Sequence, residues 1–329
     1  VTLIVVVLGK TPNPALQSPQ SIPLIVDTDV GSDDILALLY LFRKQAAGSV
    51  RAITVSNGLA RPEKGSVNVL KLLELTGHTK IPVAVGRSAP LQGNNAFPSE
   101  WRAHADGFYG VTLDEPRITP VVESASDFLI KQLNASKTRV RLLALGPLTN
   151  IAEAISKQPK IVKKIEQLVI MGGAVYVRGN VRDGGVENDV SEWNFFVDPY
   201  AARVVFKSGV KITLVGLDAS NKVPIDEAFV AEFKRRAVNP DAKLAAQLFQ
   251  AEDELIRRSQ YFAWDPLAAA IAVNKNLATI KRLNIAVLMR RTMEGQTKAM
   301  TQGKSNAGVC VDADAAAFRA DFLQAFIGR

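Results

Sequence analysis

From residue 22 onward, short apolar runs rich in β-branched residues alternate with longer segments whose apolar positions recur every three or four residues. IPLIVDT (22–28), VRAITVS (50–56), IPVAVG (81–86), TRVRLLALG (138–146), IEQLVIMGG (165–173) and KITLVGLD (211–218) read as buried strands. ILALLYLFRKQ, EKGSVNVLKLLELTG, SDFLIKQLNAS, LTNIAEAISKQ and DPYAARVVFKSG read as the helices between them, the second stopped by Gly77. This rhythm predicts an α/β fold: a doubly wound, largely parallel (mixed) sheet with flanking helices, forming one Rossmann-like domain over 22–329. Ligands of such sheets collect at the carboxyl ends of the strands, which directs attention to the segments that follow each apolar run.

The first 21 residues break the pattern. VTLIVVVLG is too short to span a bilayer and no basic stretch precedes it, while TPNPALQSPQS resembles a flexible linker. The segment reads as an arm or the remnant of an export signal. No later run approaches membrane-spanning length, so no membrane partner is expected. With 47% apolar and 22% charged residues among 329, the composition is that of a globular chain. The net charge of +8 is spread over isolated pairs such as Lys163-Lys164 and Arg235-Arg236, without the stripe that nucleic acid would need. A single cysteine, Cys310, with no CxxC or Cys/His cluster, argues against a disulfide framework and against zinc or iron–sulfur chemistry.

The chemistry concentrates behind the first strand. In DTDVGSDD, Asp27, Asp29, Asp33 and Asp34 crowd four carboxylates around Gly31, and such a group raises its own pKa values unless a cation compensates it. Oxygen ligands of this kind suit calcium or magnesium. Capping of the following helix would account for Asp33 or Asp34 but leaves the other two unexplained. DxD after a strand, here Asp27-Thr28-Asp29, also resembles the nucleophile motif of haloacid-dehalogenase-type phosphatases, in which the first Asp is the nucleophile.

Four further segments, LLALGPLTNIAEAI, MGGAVYVRGN, SEWNFFVDPYAA and FAWDPLAAAIAV, follow DTDVGSDD in order. Together the five resemble the signature blocks of the inosine–uridine preferring nucleoside hydrolase family, over nearly all of the chain from Ile22. The phosphatase pattern leaves GPLTN, EWN and AWDPLAAA without a role. The resemblance implies calcium-dependent hydrolysis of the N-glycosidic bond of ribonucleosides. Cleaving that bond passes through an oxocarbenium-like ribose and needs a water, a base, a grip on the sugar hydroxyls and help for the departing group.

By the same resemblance, Asp29, Asp34, Asp265 and the backbone carbonyl of Leu145 hold Ca²⁺. Family members often have Thr where Leu145 stands, a change that a carbonyl ligand tolerates. Asp29 is then also the general base, Asp33 binds the ribose 2′-hydroxyl, and Asp27 orients the loop from behind. Asn180, Glu192, Asn194 and Asp265 match the sugar-binding positions and Met171 the pocket floor. Asn57 lies near a further ribose contact, although Asn57-Gly58 inverts the family's usual order.

Base selectivity turns on Trp264. Pyrimidine-preferring and nonspecific relatives usually carry histidine directly before the last metal-binding Asp. Trp264, with Trp101 in a loop after the third strand, instead resembles the purine-specific branch, whose two indoles stack on the base and assist its departure. His104, in a segment similar to the family's mobile HGxDG loop, is a candidate acid for the leaving group, and Tyr109 and Tyr261 are candidate lining residues. The expected partner is therefore a small purine nucleoside, with a homodimer or homotetramer by family analogy. The cytoplasm is the family's usual location, with export as the alternative if the N-terminus is a signal remnant. A binding protein that senses nucleosides without cleaving them would reuse the same pocket, yet could dispense with Asp29.

Overall fold

The computed structural model describes residues 22–44 and 50–327. The N-terminal arm of 1–21 lies outside those residues. The nine strands are β1 (Leu24–Thr28), β2 (Val50–Val55), β3 (Val83–Val85), β4 (Val140–Ala144), β5 (Ile165–Met171), β6 (Ile212–Val215), β7 (Ala278–Val287), β8 (Thr297–Met300) and β9 (Ala307–Ala313). They form one sheet in the order β3-β2-β1-β4-β5-β6-β9-β7-β8.

β1 to β6 and β9 pair in parallel, while β7 runs antiparallel to both β9 and β8. The six strands and five helices expected from the apolar rhythm are all present. The antiparallel C-terminal edge was not marked in the sequence, because KRLNIAV and TKAM mix charges with apolar residues and their strands are largely exposed or half-buried.

Both faces of the sheet are covered, and β1 shows why its first three residues are all apolar. Leu24 and Val26 enter the core on one face and Ile25 the core on the other, as a strand's two-residue alternation requires. On the first face lie helices Ser32–Arg43, Pro62–Leu75, Trp264–Val273 and Ala315–Ile327; on the second lie Ala125–Ala135, Thr149–Lys157 and Pro199–Lys207. Helix Ser32–Arg43 is buried at every residue from Ser32 to Phe42, which explains its apolar character on all sides. It packs on helix Trp264–Val273, whose four alanines let the two backbones approach closely. No described helix is long and apolar enough to cross a membrane.

The strand order reverses at β1: β2 and β3 extend on one side, β4 to β6 on the other. That switch point opens a crevice beyond the carboxyl ends of β1 and β4, where Asp29 and Leu145 fall.

Candidate active site

A cavity of about 850 Å³ occupies the crevice. Its wall includes Asp29, Asp33, Asp34, Trp101, His104, Leu145, Met171, Asn180, Glu192, Asn194, Trp264 and Asp265, all drawn from the residues singled out in the sequence.

The acidic end is built by two helix N-termini. Asp33 and Asp34 occupy the first turn of Ser32–Arg43, and Asp265 the first turn of Trp264–Val273. The helix dipoles welcome negative charge there, and Pro266 sits where its missing N–H is harmless. Oxygens of Asp33, Asp34 and Asp265 lie within 4.8 Å of one another, all three residues being buried. Asp34 is the hinge of the group. Its carboxylate accepts from the Thr28 hydroxyl, from the Asp29 N–H at 3.2 Å and from the Gly31 N–H at 2.8 Å, and its side chain also contacts those of Asp29 and Asp265. Wrapping the loop around Asp34 forces Val30 to φ 63°, a left-handed conformation that a β-branched side chain disfavours.

Asp29 is fixed from the side. One of its oxygens accepts from the Leu59 N–H at 2.8 Å. Gly58 and Gly146 press against it so closely that a methyl group on Gly58 would come within 1.9 Å of its carboxylate. Asp27 stands behind the cluster, outside the cavity wall, accepting from Thr54 and from Asn150 Nδ2 at 2.8 Å.

Burial sets the electrostatics. It pushes the carboxyl of Asp27 to about 7 against the hydrogen bonds from Asn150 and Thr54. It also raises Asp29, Asp33 and Asp265 well above the ordinary range, with the neighbouring carboxylates adding to the effect. Asp265 Oδ1 is buried with no hydrogen-bond partner. Converging, desolvated carboxylates with an orphaned oxygen are the donor set of a hard cation, so these residues fit calcium.

The SEWN segment adds the polar floor. Glu192 accepts from the N–H groups of Gly173 at 2.9 Å, Asn194 at 2.8 Å and Phe195 at 3.3 Å, capping helix Trp193–Val197. Burial nevertheless raises its carboxyl to about 7. Asn194 Nδ2 donates to the carbonyls of Leu145 at 2.7 Å and Met171 at 3.3 Å, linking the ends of β4 and β5. Asn180 accepts from the Trp193 N–H at 3.2 Å.

The aromatic lining differs from the sequence picture in one respect. Trp101 and His104 lie on a helix, Ser99–Asp106, where a loop was expected. That helix is pinned by Asp106 to Arg61 and by Asn68 Nδ2 to the Ala105 carbonyl at 3.0 Å. Trp101, 39% exposed, meets the edge of Trp193 at 5.6 Å, whereas Trp264 packs edge-on to Tyr261 at 5.4 Å. His104 tilts against Tyr109 at 4.9 Å. Asn57 is not brought to the cavity wall: its Oδ1 accepts from Arg102 Nη2 at 2.9 Å instead. Ser32, Trp193 and Glu252 line the cavity without having been picked out. Trp193 stood inside the EWN motif, so its position was available; Glu252, in a run of charges, gave no local signal.

The family model described as inosine-uridine preferring nucleoside hydrolase matches residues 24–320. The chain belongs to that family. It is accordingly a ribonucleoside hydrolase. It is 31% identical over 311 residues to a pyrimidine-specific ribonucleoside hydrolase, RihA, of Salmonella gallinarum, covering 91% of this chain and 96% of the relative. It is 30% identical over 284 residues to a probable uridine nucleosidase 1 of Oryza sativa subsp. japonica, covering 85% of each. Among solved structures, a purine-preferring ribonucleoside hydrolase from Gardnerella vaginalis superposes with a TM-score of 0.83 at 28% identity, covering 93% of this chain and 98% of the other. The nucleoside hydrolase fold thus extends over essentially the whole described domain.

Proposed function

We propose that this nucleoside hydrolase cleaves purine ribonucleosides to ribose and free base with calcium as its ion. The observation that carries the reading is the Trp264-Asp265 pair. One residue sets an indole in the cavity wall and the next sets a buried carboxylate in the acidic cluster, so base and sugar ends of a nucleoside are specified side by side. Aromatic surface from Trp101, Trp193 and Tyr261 in the same wall suits a bicyclic base.

Asp29, Asp34, Asp265 and the Leu145 carbonyl would hold the ion, which when bound supplies the positive charge this cluster lacks and polarises the oxygens it holds. Asp29, held by the Leu59 N–H through one oxygen, keeps the other for the proton of the attacking water. Asp33 takes the ribose 2′-hydroxyl. Asn180, with its carbonyl oxygen committed to Trp193, presents its NH₂ to the sugar. Glu192 has lone pairs beyond those used by its backbone donors and can accept from a hydroxyl. Asn194 keeps its carbonyl oxygen for the same purpose while its NH₂ fixes the Leu145 and Met171 carbonyls.

A pyrimidine preference is the second reading, favoured by the Salmonella and Oryza relatives' names. The Trp264 position speaks for the purine reading. Free-ribose release from inosine, followed as reducing sugar, tests the activity. Release on the seconds-to-minutes scale is expected, and binding without release would leave a sensor rather than an enzyme.

A further inference from the structure

The cavity wall contains a carboxyl group that belongs to none of the aspartate motifs. Glu252 sits at the junction of helix Pro240–Ala251 and the short helix Asp253–Arg257, and it lines the same cavity as Trp264, Tyr261 and His104. Ser32 stands beside its side chain, and Ser32 Oγ lies 2.9 Å from the Tyr261 hydroxyl, so Tyr261, Ser32 and Glu252 follow one another along the wall. The titratable groups nearest Glu252 in the wall are His104, Asp33 and the phenols of Tyr109 and Tyr261. Burial outweighs both Ser32 and His104 and holds the carboxyl above its ordinary range.

We propose that Glu252 is the general acid that protonates the departing base. The assignment rests on the reading of the cavity as a purine ribonucleoside site. Stacking on Trp264 can favour a protonated purine but supplies no proton, and Glu252 is a half-buried carboxyl in the same wall, beside the Ser32 that meets the Tyr261 packed on that indole. In the step, the C1′–N9 bond breaks with its electron pair passing to the base. A proton moves from the Glu252 carboxyl to a purine ring nitrogen. The water oxygen bonds to C1′ and its proton passes to Asp29. Glu252 is left ionised and Asp29 protonated, and exchange with solvent resets both. The net change is nucleoside plus water to ribose plus base.

Glu252→Gln keeps the size of the side chain and its acceptor for Ser32 but has no acidic proton. In calcium-containing buffer, its kcat on inosine should fall by about 10²-fold or more, the low end for general acid catalysis. On p-nitrophenyl riboside, whose leaving group needs no proton, the loss should stay below about 5-fold. Glu252→Asp, with an acid of shorter reach, should recover part of the inosine rate at unchanged riboside activity. If Glu252→Gln does not fold, the same comparison of the two substrates is read from Glu252→Asp, with inosine again the more impaired. Equal losses on the two substrates, or an inosine kcat near wild type in either variant, would overturn the assignment. A wild-type protein that cleaves neither substrate would instead refute the underlying activity.

Discussion

Asp29 is closely confined, with a backbone N–H on one oxygen, glycines against its flank and Asp34 beside it. Asp29→Asn is nearly isosteric, so the fold should persist while turnover of inosine drops at least about 10²-fold, since base and anionic ligand are lost together. A kcat near wild type in calcium-replete buffer would remove Asp29 from the mechanism. Trp264 makes a contact of a different kind. Stacking on a base is worth roughly 1–3 kcal/mol, so Trp264→Ala should lower kcat/KM on inosine by about 5- to 150-fold. The loss should appear in kcat as well as KM if the indole assists departure, and p-nitrophenyl riboside should be far less affected. Calcium content should stay unchanged. The acidic residues were legible in the sequence because helix capping accounts for Asp33 or Asp34 and leaves the other carboxylates of DTDVGSDD without a local role. Asn57 differs from them: the sequence gives no sign that Arg102 of a later helix donates to its carbonyl oxygen.

Single elements carry these side chains into register. The five-residue helix Trp193–Val197 begins on Glu192, whose two oxygens collect three backbone N–H groups. Its carboxyl is raised to about 7 from an ordinary 4.5. Between those values the folded chain binds a proton that the unfolded chain has released, so this group's contribution to stability is fully present below about pH 4.5 and is lost as pH rises through about 7. Glu192→Gln removes the titration. Urea unfolding across that window should show the stability difference, wild type minus variant, declining with rising pH, whereas a constant difference would contradict the raised pKa. The element boundaries themselves were well announced. The apolar rhythm marked β1 to β6, whose core residues face two covered sides. It failed for β7, β8 and β9: β7 and the edge strand β8 keep charged residues in water and lose the apolar signature, while β9 is a short run whose first four residues alone are buried. It also missed that 99–106 is a helix, because SEWRAHAD has little apolar surface and is held from outside by contacts with Arg61, Asn68 and Asn57.

At the level of the whole molecule, the parallel sheet determines where the site forms. The reversal of strand order at β1 leaves a crevice, and two helices packed on one face converge their N-termini on it. Residues far apart in sequence, Asp34 and Asp265, meet because the apolar faces of their helices do. Sequence order could show that the motifs belong to one site but could not show the distances, nor that Glu252 and Ser32 join it. A cluster built this way should bind its ion only when folded. Calcium at 100 times its dissociation constant should therefore add about 2.7 kcal/mol to stability. Calorimetry before and after chelation should show Tm falling and then recovering with calcium; an unchanged Tm would argue that the carboxylates hold no ion. The central claim, that Trp264 and its neighbours fit this ribonucleoside hydrolase to purines, is tested most directly by kcat/KM for inosine and uridine on the same calcium-replete preparation. The account predicts that inosine is the better substrate, and a higher kcat/KM for uridine would contradict it.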